Sequence, residues 1–372
     1  MAAAAAVMET FNATSSSAYD ALAGAPPYEL VPTPLSYPFY YTSNLQYLAW
    51  INDKDLSLLT PVAIYWAASF LFEAMDWSNL PFFEQYRIHE PEEVKRRNKV
   101  SATTVFWMVV IQQILQTALG YWALDENEAI QEAMTDHRVK LQVYGAYISR
   151  IAFLLLGPST GSKVLRYCGA EVTSWVYWWG VPTLQFLLAS FLLDTWQYFL
   201  HRYFHTNKFL YRHFHSHHHR LYCPYSFGAL YNHPLEGFLL DTVGTVVAHT
   251  LSGMSTRQAI LLFGVSSLKT VDDHCGFALP FDPFQILFGN NAAYHDIHHQ
   301  QFGIKKNFAQ PYFTHWDTLL NTRMRPEQVP ERHRDKYHAG PCKALSDKIK
   351  LASSKAADVL TTESSIKETK SQ

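Results

Sequence analysis

The 372-residue sequence predicts an all-α integral membrane protein, in which transmembrane helices carry a helical cap rich in histidine. Three observations predict it. Hydrophobic residues make up 48% of the chain and aromatic ones 15%, against only 17% charged, the balance of a membrane protein with aromatic belts at its interfaces. Uncharged runs long enough to cross a bilayer recur in the first half of the chain. Finally, 14 of the 18 histidines fall between His201 and His315, immediately after the last of those runs. A formal charge of -2 gives no reason to expect a nucleic-acid partner. Cys168, Cys223, Cys275 and Cys342 are far apart and form no CxxC pair, so neither a disulfide framework nor a zinc ribbon is expected.

Residues 1–55 open on an alanine run and contain no Lys or Arg before Lys54, so they lack the basic start of a secretory signal and read as a mostly disordered tail. Asn12-Ala13-Thr14 matches a glycosylation sequon, meaningful only if the tail is lumenal. Residues 56–72 are uncharged over 17 positions, a marginal span, and Ser101 to Leu124 over 24, a full one. Between them EQYRIHEPEEVKRRNK supplies five Lys and Arg, which points that loop toward the cytosol. After an acidic stretch from Asp125 to Asp136, residues 141–157 are apolar but interrupted by Arg150. That charge favours an interfacial or re-entrant helix; counting it as a span would move the N-terminus to the cytosol, and the sequence leaves both open. Val172 to Leu193 is uncharged over 22 positions and delivers the chain to Asp194 and His201. Residues 242–256 and 258–268, joined through Arg257, are each shorter than a span and read as a tilted or re-entrant hairpin. The expected organisation is therefore a tail over 1–55, spans and an interfacial helix over 56–171, a catalytic region over 172–325 and a disordered charged tail over 326–372 that ends in KETKSQ.

Within 172–325, His201 and His205 are four apart and share one face of a helix. His215, His218 and His219 form HxxHH; on a helix His218 and His219 would sit about 100° apart, on either side of His215. His295, His298 and His299 repeat that spacing. Eight imidazoles exceed what one tetrahedral ion needs, so the sequence predicts a two-metal centre in the cap. All-imidazole ligation suits iron, copper or zinc, and affinity alone does not choose among them. Asp194, Gln197, His201 and His205 are spaced 3, 4 and 4 apart, so Asp194 is a candidate to orient a ligand by accepting its second ring N–H, the alternative being an ordinary helix-end carboxylate. His233, before Pro234, reads by itself as a turn or packing residue. Neither HExxH, a nucleophile elbow, a dinucleotide fingerprint nor a P-loop is present. A nitrogen-rich site beside membrane spans can meet a lipid chain, and unactivated C–H bonds call for oxygen chemistry at a metal. A membrane metal transporter, the remote alternative, would need polar residues along complete spans, whereas these histidines lie beyond the span ends.

HRYFH at 201, HSHHH at 215, ALYNHPLEGFLLDT at 229, TVDDHCG at 270, YHDIHHQ at 294 and NFAQPYFTHWDTLLNTR at 307 together resemble the membrane fatty acid hydroxylase superfamily, and within it the sphinganine C4-hydroxylases. The resemblance implies an O2-dependent di-iron monooxygenase, multi-pass in the endoplasmic reticulum membrane with its site cytosolic, that hydroxylates C4 of sphinganine or dihydroceramide. It implies iron ligation by His201, His205, His215, His218, His219, His295, His298 and His299, with His274 as a ninth ligand and His233 as a ligand or its support. His213, His217, His249 and His315 are expected in structural or supporting roles. No HPGG signature occurs, so the resemblance implies electrons from separate cytochrome b5 and an NAD(P)H-dependent reductase. Motifs that hold iron do not select the substrate, and a C-4 methylsterol oxidase or another lipid hydroxylase or desaturase of the superfamily is the alternative.

Overall fold

A computed structural model describes residues 30–337, apart from 125–129 and 132–133. The sequon at Asn12, most of the acidic stretch and the terminal KETKSQ lie outside the described residues. Regular structure among the described residues is helical, with two isolated bridges, Leu48 to Ile51 and Arg87 to Phe277. Helix α1 spans Asp53–Ser78 and α2 spans Ala102–Ala123. At 1.5 Å per residue both reach across the roughly 30 Å hydrocarbon core of a bilayer. Helix α2 starts where it does because the Ser101 hydroxyl accepts the Thr104 N–H at 3.2 Å. Trp107, Ile111, Ile114 and Trp122 on it are exposed, an apolar stripe that lipid covers and water would not tolerate.

Helix α3, His137–Trp175, differs from the single interfacial helix expected over 141–157. Gly157 has φ 73 and ψ 169, and Pro158 follows with no N–H to continue the helix. The chain folds back there into a hairpin, so Gly145 lies beside Thr173 and Tyr144 beside Tyr177. A π-helical turn, Val176–Gly180, leads into α4, Val181–Thr206. The array from His137 to Thr206 is the third stretch long and apolar enough to cross a membrane. Helices α5, Gly244–Ser252, and α6, Thr256–Asp273, form a pair as expected, but the joint is at Gly253, φ 64, rather than Arg257, which lies inside the 18-residue α6. Helix α7, Ala292–His299, begins at Asn291, whose side chain accepts the Tyr294 N–H.

The chain divides into two compact units. One comprises residues up to 54 with 125–188 and 252–258. In it, residues 30–52 are not the free tail that the sequence suggested. Leu30 fills the groove between Gly145 and Gly169, where a Cβ at either glycine would come within 3 Å of its side chain. Arg257 clamps the same segment, bonding the Asp53 carboxylate at 2.8 Å and the carbonyls of Thr42 and Asn44. The other unit holds, of the described residues, 55–124, 189–251 and 259–337. A boundary at 172 therefore does not separate the spans from the histidines, because α1 and α2 share a core with α6, α7 and the loops between. Tyr65, Val105, Leu221, Tyr231, Val271 and Ile297 are buried together there. Gly264 lets α6 approach α1 beside Ile64, and the Ser267 hydroxyl donates to the Pro61 carbonyl at 2.8 Å. Residues 326–337 also belong to this core through buried Val329 and Tyr337, not to the tail predicted over 326–372, the rest of which lies outside the described residues.

Candidate metal centre

Nine of the ten histidines singled out as ligands converge in two groups. His201, His205, His215, His219 and His298 make the first; His218, His274, His295 and His299 make the second. Within each, one ring nitrogen per residue lies within 4.8 Å of all the others, and every ring is buried. The backbone explains the sorting. His201 and His205 are one turn apart on α4. The chain then reverses through a short helix, Lys208–His213, capped by Asn207, into a tight 3-10 turn, His215–Arg220. From this turn His215 and His219 enter the first group and His218 the second. Helix α7 does the reverse, giving His295 and His299 to the second group and His298 to the first. Each HxxHH thus supplies an i, i+4 pair to one group and its intervening member to the other.

The ring tautomers follow from the opposite nitrogens. Nδ1 of His201 faces the Phe308 carbonyl at 2.8 Å, that of His218 the Tyr231 carbonyl at 3.1 Å and that of His274 the Thr270 carbonyl at 2.8 Å. His298 and His299 do the same with the carbonyls of Lys306 and Leu221, each at 2.7 Å. His215 Nδ1 faces the Glu236 carboxylate. A carbonyl can only accept, so these rings are protonated at Nδ1 and turn a bare Nε2 lone pair inward. Yet His201 and His215 bring Nε2 to within 3.1 Å of each other, and His298 Nε2 is buried with no hydrogen-bond partner. Facing lone pairs repel, and a cation between them removes the conflict. Burial drives His218 down to about 4 and His274 to about 3, and burial with neighbouring rings lowers His215, His219, His295 and His299, so protons do not supply that cation near neutrality. The residues present therefore fit metal ions.

The number of donors also bears on the metal. Four pairs of ring nitrogens in the first group stand 2.7–3.1 Å apart and two in the second 3.0–3.1 Å, with all candidate donors of a group within 4.8 Å of one another. Five nitrogens in the first group exceed the four that a structural tetrahedral zinc takes.

Two expected site residues are placed elsewhere. His233 is in neither group: its ring accepts the Leu235 N–H at 3.2 Å as the cap of a short helix, which explains its position before Pro234. Asp194 does not accept from a histidine ring. It accepts the backbone N–H groups of Tyr312 and Phe313, at 3.0 and 2.5 Å, and anchors the segment that follows Phe308. His213, His217, His249 and His315 lie outside both groups.

The sequence reading missed Glu236 beneath His215, Asp317 and His89. Asp317 accepts from the N–H groups of Phe308 and Ala309 and the hydroxyls of Tyr294 and Thr322, fixing the carbonyl that orients His201. Asp296, although it sits among the α7 histidines, turns away to His89 and Tyr337, each at 2.7 Å. Glu236 carried one available signal, an acid inside an otherwise apolar run. Beside the centre, an apolar cavity of about 160 Å³ lies between α1, α2, α4, α5 and α6. It shares Gln197, Asp241, Thr270 and Pro311 with a chamber of about 30 Å³ lined by His215, His218, His274 and His295.

The family profile described as fatty acid hydroxylase matches residues 186–322. A sphingolipid C4-hydroxylase of Schizosaccharomyces pombe is 45% identical, over 77% of this chain and 93% of its own. A sphinganine C4-monooxygenase of Arabidopsis thaliana is 39% identical, over 80% and 98%. A very-long-chain aldehyde decarbonylase of Oryza sativa is 38% identical, over 78% and 96%. No solved structure matches. With relatives this similar along nearly their whole length, and with the matched region coinciding with the two histidine groups, the chain belongs to the fatty acid hydroxylase family.

Proposed function

We propose that this protein is an O2-dependent di-iron monooxygenase of sphingolipid biosynthesis that hydroxylates C4 of sphinganine or dihydroceramide to give phytosphingosine-type bases. The observation that carries the reading is the pair of histidine groups, five and four buried imidazoles, opening toward an apolar cavity between membrane helices. The names of the yeast and plant relatives supply the substrate. His201, His205, His215, His219 and His298 would hold one iron, and His218, His274, His295 and His299 the other. Bound there, iron supplies the oxygen activation that attack on an unactivated C–H bond requires. The chain's own residues do the rest. Glu236 and the backbone carbonyls fix the ring tautomers, and Asp194 and Asp317 hold the 308–313 segment over the site. Leu58, Val62, Leu193 and Phe263 line the cavity and would align a long chain while excluding water. The five Lys and Arg of residues 84–99 support a cytosolic site in the endoplasmic reticulum membrane, where cytochrome b5 and an NAD(P)H-dependent reductase would deliver electrons.

Long-chain base analysis of a yeast-like cell lacking phytosphingosine tests the reading. The parent chain restores phytosphingosine, and His218→Ala with His219→Ala, which removes a ligand from each group, does not. A parent present in the membrane that restores none overturns the reading. The rice relative's name favours aldehyde decarbonylation as a second reading, so very-long-chain alkanes in the same extract would take its place, and altered 4-methylsterols would point to sterol oxidation.

A further inference from the structure

The boundary between the apolar cavity and the histidine chamber is not apolar. Asp241 lines both spaces. It is half-buried. Among the described residues its carboxylate accepts two long amide contacts, from Gln197 Nε2 at 3.3 Å and Gln116 Nε2 at 3.5 Å. Among the described residues no Lys or Arg forms an ion pair with it. Two further polar atoms on the same cavity wall, Gln113 Nε2 and Thr242 Oγ1, are buried with no hydrogen-bond partner at all. A half-buried carboxylate without a cation, beside unpaired donors, is costly to keep unless something arrives to satisfy it.

Resting on the C4-hydroxylase reading, the geometry points to Asp241 as the anchor for the ammonium group of a free long-chain base. The ammonium of such a base is on C2, two bonds from C4. A group held at the cavity boundary therefore leaves C4 at the histidine chamber and the aliphatic tail in the cavity. Burial pushes the Asp241 carboxyl up to about 7, so near neutrality an incoming cation is what commits it to the charged form. An N-acylated substrate offers only a neutral amide N–H at the same place. The free base should accordingly bind more tightly than its N-acyl derivative.

The test compares full-length parent and Asp241→Asn in membranes supplied with electron donors, using sphinganine and N-acetylsphinganine as substrates and reading KM and kcat separately. The parent prefers sphinganine. In the variant KM for sphinganine rises by about tenfold or more, the scale of a lost charged hydrogen bond, while KM for N-acetylsphinganine barely moves and kcat is largely kept. Loss by the same factor for both substrates is what misfolding or a purely structural role gives, and it overturns the anchor. So does a parent indifferent to acylation. A parent that hydroxylates neither substrate overturns the C4 reading itself and the anchor with it.

Discussion

A fully buried carboxylate needs a partner, and Glu236 has one in His215. Burial first, and then the nearby Asp241, push the Glu236 carboxyl well above the usual carboxylate range, so its charged form depends on the N–H that His215 presents. That bond fixes the ring and makes its inward nitrogen a stronger donor to a metal. In Glu236→Gln the amide oxygen still accepts from Nδ1 but carries no charge. Iron retained against graded chelator should fall by about 10- to 100-fold in affinity, the range for supporting carboxylates, with the protein still folded. Retention equal to the parent would mean that the Glu236 charge plays no part in holding His215. The same physics separates Asp194 from the role its spacing suggested. It does lie on the face of α4 that carries His201, but the backbone amides of Tyr312 and Phe313 reach it first.

At the scale of elements, α7 carries three histidines and a single departure from ideal spacing would misdirect all of them. Its C-terminal end is pinned by Gly303, where a Cβ would fall 1.8 Å from the Ile297 carbonyl oxygen. That contact is with backbone, so Gly303→Ala must displace the turn that carries His298 and His299. The substitution should cost about 1–3 kcal/mol or more and empty both metal groups in parallel, read as iron content per protein alongside the thermal midpoint. Gly157→Ala provides the contrast. Nothing lies within 4 Å of its Cβ, so its cost is the φ of 73 alone, about 1–3 kcal/mol, and iron content should hold. The contrast also marks how far the sequence could be read. Uncharged runs announce α1, α2 and the short α5–α6 pair, and repeated HxxHH announces two metals, because these are periodic signals. The hairpin at Gly157 was legible only as an Arg150 out of place. The exchange of His218 and His298 between groups depends on how two distant turns face each other, which no local spacing encodes. Leu30 and Tyr337 were assigned to tails for the same reason: their partners, Gly145 and Gly169 for the one and Asp296 for the other, are far from them in sequence.

Across the whole molecule, the unit containing the histidines has its core continuous with the metal groups, since Leu221 and Ile297 are buried in the core beside residues that orient or flank the ligands. Without metal, inward lone pairs stand 2.7–3.1 Å apart and the rings are too buried to take protons near neutrality. Metal binding is then part of this unit's folding energy, contributing about 4 kcal/mol when free metal stands a thousandfold above its dissociation constant. Anaerobic removal of iron from the detergent-solubilised protein should lower its melting temperature by several degrees or more and open the 207–221 and 300–313 loops to protease. Fe(II) should restore both properties. Zn(II), which favours four tetrahedral ligands, is less well matched to the five nitrogens of the first group and should restore them less well. Iron-free protein that melts and is cleaved like the parent would show that the fold holds the nine imidazoles by itself. Equal rescue by zinc would show that the five-nitrogen group does not discriminate between the two metals.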